Sequence, residues 1–480
     1  MAAHTVLAVD LGGESGRVMA VHYANETLQI EELHRFPNTS VRVRETLHWD
    51  FLRLWHDIQT GIAKGMALQP RSLGVDTWGV DFGLLDAAGD LIGNPVHYRD
   101  GRTDGMMERM FTRMSKAEIF AQTGTQFMPI NTLFQLLSLV ERQAPQLANA
   151  HTFLTAPDLL NYWLTGTKVC EWSNATTTQL VNPHTGTWAT GVLDALGLPL
   201  NLFPPIVPPG TRIGTYAGIP VIAPACHDTG SSVAAVPTRT PHYAYISSGT
   251  WSLVGLEVTA PVINAQALAA NVTNEGGVAG NFRLLKNVMG LWIIQQCRAT
   301  WADQGYAYTY RELAQLAETA PPLRSFINPN DPCFLAAGDH PQRIQAWCAD
   351  HGQPIPETHA ALVRCVLESL ALAYRAVLHT IQTLADHRSE VIHLVGGGSQ
   401  HRLLCQMTAD ATGLPVVAGP VEATVLGNAL VQLLALGELA DLAQARQLVA
   451  TSSELDHYEP QQTALWDAAY ERYTHTVSNE

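Results

Sequence analysis

The chain is poor in positive charge. Its 480 residues hold 28 lysines and arginines against 43 acidic residues, a formal net charge of -15. That balance excludes the basic face that nucleic acid or an anionic membrane surface requires. It leaves nucleotides open, because backbone N–H groups and a metal ion hold phosphates locally. Long apolar runs are missing too: no stretch approaches the roughly 18 residues of a membrane span. The opening MAAHTVLAVDLGG lacks a basic leader, and Asp10 breaks its apolar run, so no signal peptide is expected. Cysteine is scarce: the seven are odd in number and scattered, with no CxxC pair, which points to a reducing cytoplasm and mostly buried thiols. The 19 histidines form no HExxH or other metal-ligand spacing. Neither GxxxxGK[ST] nor GxGxxG occurs, so the two commonest nucleotide-binding fingerprints are excluded.

What is present suits a large globular protein. Hydrophobic residues make up 46% of the chain and charged residues 15%, enough to bury sizeable cores. At roughly 150 residues per domain, the length implies two large domains or three small ones. The opening reads as strand, turn, strand in TVLAVD and RVMAVHY, then a turn at Asn25-Glu26 and a third strand in TLQIEELHRF. FLRLWHDIQTGIAKGMA has helical periodicity, with Leu52, Trp55, Ile58 and Ile62 expected on one face. SLGVDTWGVDFGLLDAAG reads as two strands around an interruption, and TLFQLLSLVERQ and PDLLNYWLTG as helices. A Pro/Thr-rich stretch at 237–241 is the expected linker and hinge. After it YAYISSGTWSLVGLEV repeats the opening pattern of strand, Gly/Ser turn and strand without repeating its residues. Thr358 is placed to cap a helix reaching about His387, with Leu362, Val366, Leu370 and Tyr374 on one stripe. EVIHLVGGGSQHRLLCQMTADATG then reads as strand, triple glycine and helix. Strands and helices alternate in both halves, the pattern of an α/β architecture.

Three glycine-rich turns are candidate phosphate cradles. In DLGGESGR, Gly12, Gly13 and Gly16 are expected to take positive φ and let successive N–H groups converge on an anion, with Arg17 adding charge. The alternative is a glycine-rich hairpin with a salt-bridged arginine. ISSGTWS offers a second turn with the hydroxyls of Ser247, Ser248 and Thr250, or is only a hairpin. Gly396–Gly398 offers N–H donors at a strand-to-helix junction, or only tight packing. In ACHDTGSS, Asp228 either accepts a proton from a substrate hydroxyl or caps the next helix. In DTWGVDF, Asp76 and Asp81 flank Trp78, which is able to stack on a sugar face or to serve as ordinary structure. Together, three glycine turns, a solitary cleft acid and two α/β halves suit phosphoryl transfer from a nucleotide to a hydroxyl compound.

These residues resemble the FGGY carbohydrate kinases nearly end to end, through VDLGGESGR, GVDTWGVDFGLLD, YRDGRT, NATTTQLVN, HDT, YISSGTWSLVG, TNEGG, LLKNVMGLWIIQ, INPND, VGGGSQ and GPVEATVLGNAL. The resemblance implies two ribonuclease-H-like domains of the actin-like ATPase type around a central cleft. It divides the chain into a sugar-binding domain, 1–238, and a nucleotide-binding domain, 239–480. It implies that Gly13, Glu14, Ser15, Gly16 and Arg17 form the first phosphate loop, and that Thr250, Asn287, Gln295 and Gly397 contact ATP. Gly79, His227, Asp228 and Thr229 would contact the sugar, with Asp228 as general base. Mg²⁺ would bridge the β- and γ-phosphates with Asp10 as an outer-shell partner, and no direct metal ligand is assigned. The runs DTWGVDF and KNVMGLW resemble the subfamily that phosphorylates the 1-hydroxyl of L-rhamnulose in L-rhamnose catabolism. The alternatives are another ketose, such as L-fuculose or xylulose, and a non-catalytic sugar-sensing module. The expected partners are a small ketose and ATP, with no nucleic acid and no membrane. Glu14 stands where relatives usually carry a small hydroxyl residue, and Cys348 and Cys365 are the one pair left of the cysteine pairs of some relatives.

Overall fold

A computed structural model describes residues 4–477. The chain divides into two compact units. The first holds the residues up to Arg239 together with Glu257–Leu285 and Ala423–Ser453; the second holds Thr240–Leu256, Lys286–Glu422 and the residues from Glu454 on.

In the first unit β1 (His4–Leu11), β2 (Ser15–Ala24) and β3 (Thr27–Pro37) form an antiparallel meander. Asn25 and Glu26, at φ 49° and 57°, make the tight turn between β2 and β3 that their position suggested. α1 (Phe51–Met66) follows, capped by the Asp50 side chain accepting from Arg53 N. Its buried face carries Phe51, Leu54, Ile58 and Ile62; Leu52 is 62% exposed, so the expected stripe is rotated and does not include it. At Gly61 and Gly65 a Cβ would lie 2.4 Å from Val18 and 2.7 Å from Leu7, so α1 rests directly on β1 and β2. β4 (Leu73–Thr77) runs parallel to β1, and β5 (Ile219–Ile222) runs parallel to β4. The order from the edge strand Arg212–Tyr216 is β5, β4, β1, β2, β3. β1 and β4 are buried along almost their whole length, as befits strands covered on both faces. Beyond β5 the chain enters α2 (Asp228–Ala234). The helix Ala423–Ala435 packs on α2 so closely that a Cβ on Gly427 would fall 1.7 Å from Ser231 O.

The second unit repeats the plan. β6 (Tyr243–Ser248) and β7 (Trp251–Val258) form an antiparallel hairpin, β8 (Val391–Val395) lies parallel to β6, and β9 (Val416–Ala418) lies parallel to β8. The order β7, β6, β8, β9 therefore matches β2, β1, β4, β5 in both sequence and direction. α3 (Trp292–Asp303) follows the hairpin. α4 (His359–Ala385) starts where Thr358 Oγ1 accepts from Ala361 N and stops at Asp386, φ 46°. The expected stripe of Leu362, Val366, Leu370 and Tyr374 is buried. All seven cysteines are free thiols, Cys348 and Cys365 among them. Among the described residues no helix is long and apolar enough to cross a membrane.

Candidate functional site

Three carboxylates gather at the C-terminal ends of the parallel strands of the first unit. β1 and β4 both carry Val-Asp just before their last residue, and their register sets Asp10 opposite Asp76. One strand further, Thr77 pairs with His227, which places Asp228 just beyond. Asp10 is buried and its Oδ2 accepts from Arg17 Nε at 2.9 Å and Nη2 at 2.5 Å. Asp76 is wholly buried; Oδ2 accepts from Asn428 Nδ2 at 2.6 Å and Oδ1 has no partner. Burial, and after it the charge of Asp10, pushes the Asp76 carboxyl well above the ordinary carboxylate range, so its neutral form is favoured. Asp228 is different in access, with 28% of its side chain exposed. Burial raises its pKa and the Asp10 charge adds to this, while His227 opposes. It does not cap α2. It is that helix's first residue, and its Oδ1 accepts from Thr229 N at 2.6 Å. The environments thus separate three like acids into a wholly buried one, an arginine-paired one and an accessible one with raised affinity for a proton, the arrangement that suits a general base.

The β1–β2 turn sits beside these acids. Gly12 N donates to Ser15 O at 3.0 Å, and Asn38 Nδ2 donates to Gly12 O at 2.8 Å. None of Gly12, Gly13 and Gly16 adopts the left-handed region, contrary to expectation. The turn is closed by hydrogen bonds of ordinary geometry, so positive φ is not what it asks of glycine. Gly16 is required by packing, since a Cβ would lie 2.3 Å from Phe36. Gly13 is required by neither strain nor packing, because nothing lies within 4 Å of an added Cβ. That is the property of main chain left open to a phosphate. Ser15 begins β2 and Glu14 is exposed at the turn. Arg17 is on β2, its guanidinium on Asp10, so the salt-bridged arginine of the hairpin reading is present.

Gly79, Val80 and Asp81 form a strained turn. Asp81 N donates to Gly79 O across Val80, whose φ is +69°. A β-branched residue there is a conformational outlier held by its surroundings. Thr177 Oγ1 accepts from Val80 N at 3.0 Å, and Val80 O accepts from Thr132 Oγ1 at 2.6 Å and Gln135 Nε2 at 3.1 Å. Trp78 is packed on Trp49, ring centroids 4.1 Å apart, and both indoles donate to Asp81 Oδ2. With 6% of Trp78 exposed, its ring belongs to the core rather than to a sugar face.

A buried acid fixes the chain entering Asp228. Glu171 accepts from Ser173 N, Ser173 Oγ, Asn174 N and Cys226 N, and Ser173 Oγ in turn accepts from His227 N at 3.0 Å. Sequence reasoning overlooked Glu171. It also overlooked the weight of Asp76, for which the repeated Val-Asp near the strand ends was an available signal.

The nucleotide candidates Thr250, Asn287, Gln295 and Gly397 lie in the second unit. In the β6–β7 turn, Gly249 O accepts from Leu291 N at 3.0 Å, and Thr250 O accepts from Gly290 N at 3.1 Å and Trp292 N at 3.2 Å. The start of α3 is thereby tied to Thr250, with Gln295 in its first turns. Gln295 Oε1 is buried without a partner. Gly396 takes φ +82° and stands against Ser248 O, and a Cβ on Gly398 would meet Ser248 Oγ at 2.1 Å. A Cβ on Gly397 would meet nothing within 4 Å, and one on Gly249 only Trp251 O at 3.9 Å. The triple glycine leads into a 3₁₀ turn, Gly397–Gln400, and the α-helix begins only at Arg402; the N–H groups there belong to a tight turn and not to a helix end as expected. Asn287 lies apart from that turn, on the strand Phe282–Met289. An orphaned buried acceptor and open glycines fit a nucleotide. Among the described residues no three His, Cys, Asp or Glu side chains are placed to hold a metal ion together.

Residues 5–222 match the N-terminal domain of the FGGY family of carbohydrate kinases, and residues 244–436 match its C-terminal domain. The chain is 45% identical to a rhamnulokinase of Bacteroides thetaiotaomicron, over 98% of this chain and 99% of that one. It is 42% identical to a rhamnulokinase of Pectobacterium atrosepticum, over 98% and 96%. Among solved structures, ligand-bound xylulose kinase from Lactobacillus acidophilus superposes with a TM-score of 0.79 at 16% identity, covering 99% of this chain and 98% of that one. Plasmodium falciparum glycerol kinase with ADP superposes at 0.76 and 14% identity, covering 99% and 97%. These likenesses show the fold: mixed α/β with two sheet-bearing domains of the actin-like ATPase type.

Proposed function

Because the chain belongs to the FGGY family of carbohydrate kinases, we propose that it transfers the γ-phosphoryl group of ATP to the 1-hydroxyl of L-rhamnulose, giving L-rhamnulose 1-phosphate and ADP. The substrate is carried over from the two rhamnulokinases it resembles along nearly its full length. The observation that carries the mechanism is Asp228. It is the one member of the carboxylate cluster that combines exposure with a raised proton affinity.

In this reading Asp228 takes the proton of the 1-hydroxyl. The sugar oxygen forms its bond to the γ-phosphorus as the bond to the β–γ bridging oxygen breaks, and ADP leaves. Asp76, whose burial and the charge of Asp10 raise its affinity for a proton, carries its charge less readily beside the incoming triphosphate. Main-chain N–H groups at Gly13 and in the Gly/Ser turns meet phosphate oxygens, and Arg17 adds positive charge. The phosphate loop Gly13–Arg17, the sugar contacts Gly79, His227, Asp228 and Thr229, and the nucleotide contacts Thr250, Asn287, Gln295 and Gly397 are all part of the proposal. So is the division at residue 238. Asp10 would hold Mg²⁺ through water, and the ion would supply positive charge against the triphosphate. ATP as donor and seven free thiols support a cytoplasmic setting.

ADP release by the purified protein with MgATP and a panel of ketoses tests this. L-rhamnulose should give the highest kcat/KM. A preference for L-fuculose or xylulose would move the substrate within the family. Sugar binding with no ADP from any ketose would replace the kinase reading with a sugar sensor.

A further inference from the structure

One buried turn touches both of the segments on which the mechanism above depends. Trp172–Ala175 is a single turn of α-helix, continued by the 3₁₀ turn Thr176–Thr178. Asn174 and Thr177 are both buried there. Asn174 Nδ2 donates to Trp78 O at 3.1 Å and to Cys226 O at 3.4 Å. Trp78 immediately precedes Gly79, and Cys226 precedes His227 and Asp228. Thr177 Oγ1 accepts from Val80 N at 3.0 Å, and Ser173 Oγ accepts from His227 N at 3.0 Å. Each segment is therefore held at a carbonyl and at an N–H by side chains of the same turn.

Chemistry fixes the direction of these bonds. A carbonyl only accepts, so the Asn174 amide must turn its NH₂ group toward Trp78 O and Cys226 O. Its Oδ1 is buried without a partner, so this side chain serves as a donor. A main-chain N–H only donates, so Val80 and His227 require the hydroxyl oxygens. Thr177 Oγ1 also donates to Asn174 O at 2.8 Å, which ties the two residues together. Gly79 is moulded on the same side chain: a Cβ there would lie 2.9 Å from Thr177 Cγ2 and Oγ1. Glu171 supports the turn by accepting from Asn174 N and Cys226 N. Burying an amide and hydroxyls costs free energy unless each is hydrogen-bonded, and a turn that only filled space would use apolar side chains.

We propose that Asn174 and Thr177 are positioning residues that set the spacing between the Gly79 turn and Asp228, and that this spacing directs the γ-phosphoryl group to the sugar hydroxyl and not to water. The proposal rests on the kinase reading for what the two segments do. With the spacing kept, the 1-hydroxyl oxygen of the sugar bonds to the γ-phosphorus and its proton passes to Asp228. The bond from that phosphorus to the β–γ bridging oxygen breaks, and ADP leaves. With the spacing relaxed, a sugar held by the Gly79 turn stands off from Asp228, and a water oxygen attacks in its place. Water then loses its proton to Asp228, and the products are inorganic phosphate and ADP. A displacement of about 1 Å is enough, since a shift of that size costs on the order of 100-fold in rate.

The whole chain tests this, with ADP and sugar phosphate measured separately. Wild type should release the two in equal amounts. Thr177→Val keeps the volume and removes the acceptor of Val80 N. With L-rhamnulose its kcat should fall about 10-fold and KM for the sugar should rise several-fold, as partial loss of alignment requires. KM for ATP should stay within about twofold, because no nucleotide contact is touched. ADP should then exceed sugar phosphate. Thr177→Ser, which keeps the hydroxyl, should retain most of the activity and the equal yield. Asn174→Leu removes both donors and should uncouple the reaction further. Amide exchange of the free protein gives a readout that needs no turnover. Asn174→Leu should speed exchange in peptides covering both 78–81 and 226–229, and Thr177→Val chiefly in the first. Unchanged exchange in both peptides of Asn174→Leu overturns the proposal. So does a folded Thr177→Val with wild-type kcat, sugar KM and yield, or a Thr177→Ser as impaired as Thr177→Val. A fall in kcat with equal yield and unchanged sugar KM also overturns it, because loss of folded protein alone does that. If one of Thr177→Val and Asn174→Leu fails to fold, the other decides, with Thr177→Ser. Absence of ADP from wild type with every ketose would instead remove the proposed function, and the exchange rates would still show whether the turn holds both segments.

Discussion

At the residue scale the molecule separates groups that look alike in sequence. Asp10, Asp76 and Asp228 are three aspartates in one cluster, yet one is paired with an arginine, one is wholly buried and one is accessible. Asparagine at Asp228 keeps the shape and removes the base. Turnover of Asp228→Asn should fall roughly 100-fold or more, with sugar binding by calorimetry retained. Full activity would remove Asp228 from the mechanism. The glycines separate in the same way. A methyl on Gly16 would strike Phe36, whereas one on Gly13 would meet nothing. Gly13→Ala should therefore leave the melting temperature within about 1 °C, since it disturbs no packing or strained φ. If main chain at Gly13 meets phosphate, KM for ATP should rise several-fold in the same variant. Unchanged KM would leave the phosphate-loop reading without its main support.

At the scale of elements, the position of Asp228 depends on a helix far along the chain. α2 begins at Asp228, and Ala423–Ala435 lies against it with Gly427 over Ser231 O. From the same helix Asn428 holds Asp76, and Gln432 Nε2 donates to Leu7 O at 2.9 Å. Gly427→Ala forces these helices apart. Overpacking of this kind costs about 1–3 kcal/mol, so the variant should unfold at lower temperature. Because the displaced helix carries Asp228, kcat should fall more than KM for ATP rises. A variant as stable and as active as wild type would show that the contact yields without moving the acid. The Gly79–Val80–Asp81 turn is held in the same distributed manner. Thr177, Thr132 and Gln135 together impose a φ that valine would not choose.

At the scale of the whole molecule, buried acids couple folding to pH. Burial pushes Asp158 up to about 7, the Glu171 charge adding and Thr155 opposing, and burial pushes Asp81 up to about 6. Both carboxyls bind a proton more tightly folded than unfolded. Their stabilisation is complete below the unfolded value near 4 and is lost as pH rises through the folded values. Glu275 is shifted the other way, since Arg283 and then His227 outweigh its burial, so its contribution is present above the unfolded value and lost on acidification. Between about pH 5 and about pH 8 the melting temperature of wild type should therefore decline relative to that of Asp158→Asn. Parallel slopes would show that Asp158 is not the group responsible.

Much of this architecture could be read from short stretches alone. The two strand–turn–strand hairpins, the capped helix at Thr358 and the glycine turns follow from periodicity and turn chemistry acting over a few residues. Asp228 stood out as a polar residue after an apolar run. What tertiary structure alone decided was which of these residues share an environment. Register put Asp76 beside Asp10. Packing took Trp78 into the core, turned Leu52 outward and kept Gly12, Gly13 and Gly16 out of the left-handed region. Only the folded chain brings Asn174 to both Trp78 and Cys226. The reason is physical: dihedral preference and amphipathic period are local properties, whereas desolvation, close contact and charge pairing depend on neighbours that the chain supplies from far away.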